Sequence, residues 1–549
     1  MTHTMRAKVI LAAACFAVVW FGTLQYRDLF QTDEGRYAEI PREMVVTGDW
    51  ITPRLNGFKY FEKPALQYWI TAVAYELFGE SNWTSRLWTA LSGFLGVLMT
   101  AWVGARLFGR AAGWGAALVL ASSLYYVVMG HFNTLDMGLT FFMGLTLFGF
   151  LSAMQAADRG NLRARRGWMY LAWAAAALGL LSKGLEAVVL PGAVFVFHSL
   201  VTRDWKRWKQ LHYYGGVLIF LVIAAPWFVL VSLRNPDFAY HFFIFEHFER
   251  FLTPVARRPG AWWFFIPILI GGLLPWWPQF VRALAGARRG ETPGAGGFNV
   301  QLFLWLWCAI IFVFFSFSDS KLDSYILPIF PALALLVGRE LGKLRRSDLL
   351  LSAVFVLFMA MTMLWWAPSL KHDGGRMPAE LYRAFLPWLM AGCGVLLLAA
   401  GAGFVLAYFR RPRVASLALA GGLFVALQTI TSGAQVLSPL YSGHALAQQL
   451  KGRDIASLPF YSVQDYQQSL PFYLKRSLTL VGYQGEMAFG IRHEPEKWIP
   501  DTDSFIARWT KGPKAYAVMP DDTYDVLRQR GVPMNVVARG VSRVIVEKP

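Results

Sequence analysis

The sequence predicts a polytopic α-helical membrane protein of about thirteen transmembrane helices that ends in a separate extracytoplasmic α/β domain. Three observations carry this. Of the 549 residues, 56% are hydrophobic and only 16% charged, where soluble domains carry about 25% charge. Apolar runs able to cross a bilayer recur as far as Thr431, and there only helices or closed barrels satisfy the backbone. From about Ser432 the pattern changes to short apolar strands and amphipathic helical segments.

In chain order the expected spans are Val9–Leu24, Leu87–Leu107, Trp114–Met129, Gly138–Ala157, Trp168–Leu181, Leu185–Val201, Gly215–Leu233, Trp262–Leu284, Gln301–Phe317, Tyr325–Val337, Leu349–Trp366, Phe385–Phe409 and Val414–Thr431. The first follows Arg6 and Lys8 and has no small-x-small cleavage site before the polar stretch, which favours a retained signal anchor. Cys15, Cys308 and Cys393 lie in apolar runs without metal or redox spacing.

A formal charge of +18 would suggest nucleic acid in a soluble chain. Here the basic residues fill short loops at Arg106/Arg110, Arg159–Arg166, Arg203–Lys209, Arg282–Arg289, Arg339–Arg346 and Arg410–Arg413. All six fall on the side of the N-terminus, which the positive-inside rule makes cytoplasmic. No nucleic-acid partner is expected. The insertion Gln31–Tyr68, the loops near Asp136, Lys183, Arg250 and Lys321, and the C-terminus then face outside. The expected domains are residues 1–431 in the membrane, with 25–86 as first outer loop, and 432–549 as the outer α/β domain. Its strand-like pieces are PFYSV, SLTLVG, AYAVMP, MNVVAR and SRVIVEK, with helices at Asp503–Thr510 and Asp521–Arg530, the latter capped by Asp. It has no Gly-rich phosphate loop, metal spacing or nucleophile elbow, so no chemistry is assigned to it.

Chemistry is expected where polar clusters meet the ends of spans on the outer side, because ionisable groups at membrane depth are costly and mark function. In Thr32–Tyr37 a helix would place Arg36 and Tyr37 at i+3 and i+4 from Asp33. Asp33 is then either half of a local Asp33–Arg36 pair or a carboxylate acting as base or orienter. In Lys59–Pro64, Pro64 opens a helix over Ala65–Phe78 and sets Lys63 beside its N-terminus. Lys63 either meets a lipid phosphate there or anchors an interfacial helix by snorkelling. On a helix, His247 and Arg250 are i,i+3 neighbours able to reach one phosphate, and His247 beside Glu246 and Glu249 could also ligate a metal. Asn133–Asp136 and Asp319–Tyr325 complete the set.

DEGRYAEIPREMVVTGDWITPRLNGFKYFEKPALQYW, with GHFNTLDMGLTFF, LLSKG, EHFERFLTP and DSKLDSYILPIFP in the same order, resembles the GT-C membrane glycosyltransferases of the protein-mannosyltransferase superfamily. Within it, the chain is most similar to the ArnT-like aminoarabinose transferases. The resemblance covers essentially the whole chain, is specific in the first loop and is weaker in the tail. It implies inverting transfer of 4-amino-4-deoxy-L-arabinose from undecaprenyl phosphate to a lipid A phosphate at the periplasmic face of the inner membrane, the modification behind polymyxin resistance. Carried over, Asp33 with Arg36 and Tyr37, and Asp136 as a second acidic position, form the catalytic set. Tyr60, Lys63, Arg250 and Tyr325 match the carrier-phosphate contacts, and Glu62, with His247, is where a divalent cation such as Zn2+ is expected. The implied partners are undecaprenyl phosphate, lipid A and membrane lipids, acting on a monomer.

Two other readings stand beside this one. A GT-C transferase could use another polyprenyl-linked sugar or a protein acceptor. A flippase of lipid-linked sugars would need charges in mid-span on several helices, whereas here they gather on one face.

Overall fold

A computed structural model describes residues 3–249, 260–288, 297–370 and 377–549. The chain packs as two compact units, Met1–Gly22 with Trp88–Lys371 and Leu386–Thr431, and Thr23–Leu87 with His372–Phe385 and Ser432–Pro549.

The first unit is helical. All thirteen expected spans are helical, and among the described residues eight helices are long and apolar enough to cross a membrane. Asp136–Asp158 is the most enclosed of these, with 89% of its apolar window buried, so it forms the centre of the unit. Two expected spans are broken. Trp114–Met129 becomes Arg110–Ser122 and Leu124–Met129, because Ser123 is extended and its Oγ caps the second helix at Tyr126 N–H. Trp262–Leu284 becomes Phe265–Gly272 and Trp277–Arg288. Pro275 between them has no N–H to carry a helix forward.

Small residues set one close approach. A Cβ on Gly338 would lie 2.2 Å from Ala116 N, and one on Gly115 2.2 Å from Gly338 O. The Arg110–Ser122 and Phe330–Leu341 helices thus meet backbone to backbone, a packing that membrane helices use in place of large side chains. Tyr325 lies in the 3-10 turn Asp323–Ile329 that leads directly into the second of them.

The second unit begins with the helix Asp33–Thr47, ended by Gly48 at φ 69°. Strands β1 (Arg54–Leu55) and β2 (Phe58–Lys59) follow as an antiparallel hairpin. Asn56 and Gly57 at its tip both have positive φ, 54° and 78°, as a right-twisted two-residue hairpin requires. The next helix is Leu66–Phe78 with Ala65 at its cap, so Pro64 stands just ahead of the cap and not at the first helical position.

The tail holds β3 (Phe460–Val463), β4 (Thr479–Val481), β5 (Trp498–Ile499), β6 (Tyr516–Pro520), β7 (Asn535–Arg539) and β8 (Arg543–Glu547) in the order β5-β4-β3-β6-β8-β7. The first four run parallel, and β8 is antiparallel to both neighbours. Period-two alternation gives the sheet two apolar faces. Ala517, Met519, Val544 and Val546 pack with Phe505 and Trp509 on one, Tyr516, Val518 and Ile545 with Leu446 and Leu470 on the other. The helix Thr502–Lys511 is capped by Asp501, which accepts Ser504 N–H at 2.7 Å. Asp521 lies inside the next helix, Asp521–Gln529, which has no side-chain cap. The cap expected at Asp521 is therefore absent, and its acid serves the helix dipole instead.

Candidate functional site

Two clusters hold the expected residues, one in each unit. The first is built on the helix Asp33–Thr47. Arg36 is enclosed and lies 3.7 Å from Asp33 and 3.5 Å from Glu486. Its guanidinium also faces the Tyr60 ring at 6.0 Å. Tyr60 donates its hydroxyl to Glu62 Oε2 at 3.2 Å. Tyr37 and Tyr68 stack at 6.1 Å, and Tyr483 donates to Glu486 at 2.9 Å. Burial would lower the Arg36 pKa, but the neighbouring tyrosines and carboxylates outweigh it and hold the group raised. Burial raises the Tyr37, Tyr60 and Tyr68 hydroxyls, which remain protonated donors.

This cluster is incompletely bonded. Arg36 Nε, the Tyr68 and Tyr466 hydroxyls, Gln468 Oε1 and Glu486 Oε1 are buried without a hydrogen-bond partner. Buried polar atoms are nearly always paired, so several orphans in one place call for a polar ligand or water. The local backbone allows the approach. A Cβ on Gly35 would stand 2.5 Å from Ser469 N, so only glycine lets this helix meet residues 468–469.

Two residues upstream of Arg36 the bonding is complete. Glu34 receives Arg86 Nε at 2.7 Å and Nη2 at 3.1 Å, Arg27 Nη1 at 2.5 Å and Nη2 at 2.9 Å, and the Phe30 N–H at 3.0 Å. Arg86 further donates to the carbonyls of Leu24, Arg27 and Asp28. Burial works to raise the Glu34 pKa, and the two guanidinium groups reverse it, holding it at about 2.

Lys63 is half-buried, with no ion pair to any described residue. In the membrane unit, Asp136 opens its helix and accepts Lys183 Nζ at 2.5 Å. Lys183 sits over the Tyr325 ring at 5.1 Å. The structure thus gathers Asp33, Arg36, Tyr37, Tyr60 and Glu62 in one cluster, and Asp136 and Tyr325 in the other.

Arg250 and the side chain of His247 lie outside the described residues. The His247 backbone belongs to a π-helix, Tyr240–Glu249, where α-helical i,i+3 spacing does not apply. Among the described residues no three His, Cys, Asp or Glu side chains come together as a metal site.

Sequence reasoning missed Glu486 and Tyr466, because they belong to a tail given no chemistry, and the Arg36 that Glu486 meets lies 450 residues away. It also missed Arg27 and Arg86. A charged residue at the mouth of the apolar run from Leu87 was the available signal for Arg86.

Residues 446–548 match the family described as aminoarabinose transferase C-terminal domain. Residues 5–242 match dolichyl-phosphate-mannose-protein mannosyltransferase. Undecaprenyl phosphate-alpha-4-amino-4-deoxy-L-arabinose arabinosyl transferase 1 of Proteus mirabilis is 31% identical over 521 residues, covering 90% of this chain and 88% of that one. The corresponding transferase of Pseudomonas paraeruginosa is 32% identical over 517 residues, covering 91% and 89%. Among solved structures, ArnT from Cupriavidus metallidurans bound to undecaprenyl phosphate is 39% identical, with a TM-score of 0.93 over 98% of both chains.

Proposed function

Because the chain belongs to the family of undecaprenyl phosphate-aminoarabinose arabinosyl transferases, we propose that it moves 4-amino-4-deoxy-L-arabinose from undecaprenyl phosphate to a lipid A phosphate. It is a multi-pass membrane glycosyltransferase, and this reading places its chemistry at the outer face of the inner membrane, with the N-terminus cytoplasmic. Residues 1–431 are its membrane domain and 432–549 its periplasmic domain.

The observation that carries the reading is the under-bonded cluster around Arg36. Its acids, Asp33 and Glu486, and its tyrosine rings suit a sugar that carries a cationic amine. In the reaction, an acceptor phosphate oxygen attacks the anomeric carbon, the bond from that carbon to the carrier phosphate breaks, and undecaprenyl phosphate leaves. The acceptor is already ionised, so no base has to remove a proton, and Asp33 serves by orienting the sugar. Lys63, Arg250, Tyr60 and Tyr325 are assigned to the carrier phosphate, whose charge grows as the bond breaks. Fixed cations stabilise that growing charge more than the ground state. Asp136, paired to Lys183, is the second acidic group. Glu62, which accepts the Tyr60 hydroxyl, is the described residue that would hold a divalent cation, and no step is routed through one.

Mass spectrometry of lipid A from cells with and without the chain tests this. One aminopentose increment, lost in the Asp33→Asn variant at unchanged protein level, is the expected result. An unmodified lipid A in cells that accumulate the wild-type chain refutes it.

A further inference from the structure

We propose that Arg86 is a positioning residue for Asp33, acting through Glu34, an inference that rests on the assignment of Asp33 to the reaction. Asp33 is the first residue of its helix, and the first turn is where a helix has orphan N–H groups and frays most readily. Its side chain is 43% exposed, and its ion pair with Arg36 is 3.7 Å long. The backbone around it, however, is held on both sides by one guanidinium.

Ahead of Asp33, Arg86 donates to the carbonyls of Leu24, Arg27 and Asp28 at 2.7, 2.5 and 2.8 Å. Behind it, Arg86 forks onto both oxygens of Glu34. The clamp is 1% exposed at Arg86 and 2% at Glu34, so water does not compete for these bonds. Arg27 completes it from the opposite side with two more bonds to Glu34. A buried ion triad is not the cheapest way to make a fold stable, since apolar side chains of similar volume do as well or better. What a planar fork adds is a fixed direction. Here that direction is imposed on the residue next to Asp33, and a carboxylate misplaced by about 1 Å loses much of its effect on a reacting centre.

The test uses the full chain, purified in detergent, with Arg86→Lys as the main variant. Lysine keeps the charge and loses the fork. The expected result is a kcat at least about tenfold lower, with affinity for undecaprenyl phosphate within about twofold of the parent. The losses from Arg86→Lys and Asp33→Asn should fall well short of multiplying in the double variant, because both act on one carboxylate. A native kcat in Arg86→Lys beside a crippled Asp33→Asn overturns the clamp alone, as do losses that multiply in full. Native transfer by Asp33→Asn overturns the role of Asp33 itself. If Arg86→Lys does not accumulate, Glu34→Asp keeps the charge but draws the carboxylate back from the Arg86 fork and gives the same readout; an unchanged kcat there overturns the clamp.

Discussion

Glu34 and Arg36 stand two residues apart on one helix, one buried and one half-buried, both charged, yet their surroundings are built on opposite terms. Around Glu34 five N–H donors converge on one carboxylate. Around Arg36 the ion pairs are long, and a guanidinium nitrogen, two phenols, an amide oxygen and a carboxylate oxygen have no hydrogen-bond partner. A satisfied network fixes a shape, whereas an unsatisfied one holds polar groups ready for something else. The contrast in bonding separates scaffold from site, and exposure runs the same way: Glu34 and Arg86 are 2% and 1% exposed, Arg36 and Glu486 12% each.

The strongest way to break this contrast is to remove the satisfied carboxylate. Glu34→Ala leaves two guanidinium groups buried without a counter-charge, and the loss of stability should be about 3–5 kcal/mol. Thermal unfolding of the purified chain would show it as a large fall in Tm. A small fall would mean that the clamp opens to water.

Glu486→Gln sharpens it from the other side. The carboxylate is lost where bonding is already incomplete, so Tm should move little while aminoarabinose transfer falls by about a hundredfold. A drop in Tm as large as that of Glu34→Ala would make Glu486 part of the scaffold.

The most local effect is a pH dependence at Glu43, one turn beyond Glu39 on the same helix. Burial, then repulsion from Glu39, pushes its carboxyl up to about 8 from an ordinary value of 4.5. The folded chain therefore keeps a proton that the unfolded chain releases, and stability falls as pH rises from about 4.5 to about 8. Glu43→Gln should match the parent near pH 4.5 and unfold a few degrees higher at pH 8. Parallel curves for the two proteins across that range would place the proton elsewhere.

The helical membrane architecture was legible because hydrophobic length is a one-dimensional signal, and the tail strands because alternation is one too. Trp498–Ile499 escaped as a strand because two residues cannot alternate visibly. The two broken spans were legible only in part. Pro275 is a visible breaker, but Ser123 gave no warning, since serine interrupts a helix only when its hydroxyl finds a better use than solvent. In the site, the first-loop residues could be named because they lie close together in the chain. Glu486, Tyr466, Arg27 and Arg86 could not, since what marks them is the partner each meets or lacks after folding. The reading of the tail as free of chemistry rested on the same limit. It looked for motifs, and a single carboxylate delivered by a sheet domain has none.

The side chain of Asn56 bonds the backbone of Leu478 twice, as donor and acceptor, across 422 residues of sequence. Most of the chain is thus synthesised between the two halves of one junction. When the hairpin tip leaves the ribosome its partner does not yet exist, and no local contact can replace that pair. The first loop has to wait, with Asn56 in water, until Leu478 arrives just ahead of β4. Such long-range closure is the slow kind of folding event. The maturation of the loop is therefore timed by the synthesis of the tail domain, and a ribosome that stops before Leu478 leaves a membrane protein whose most specific segment has never been finished.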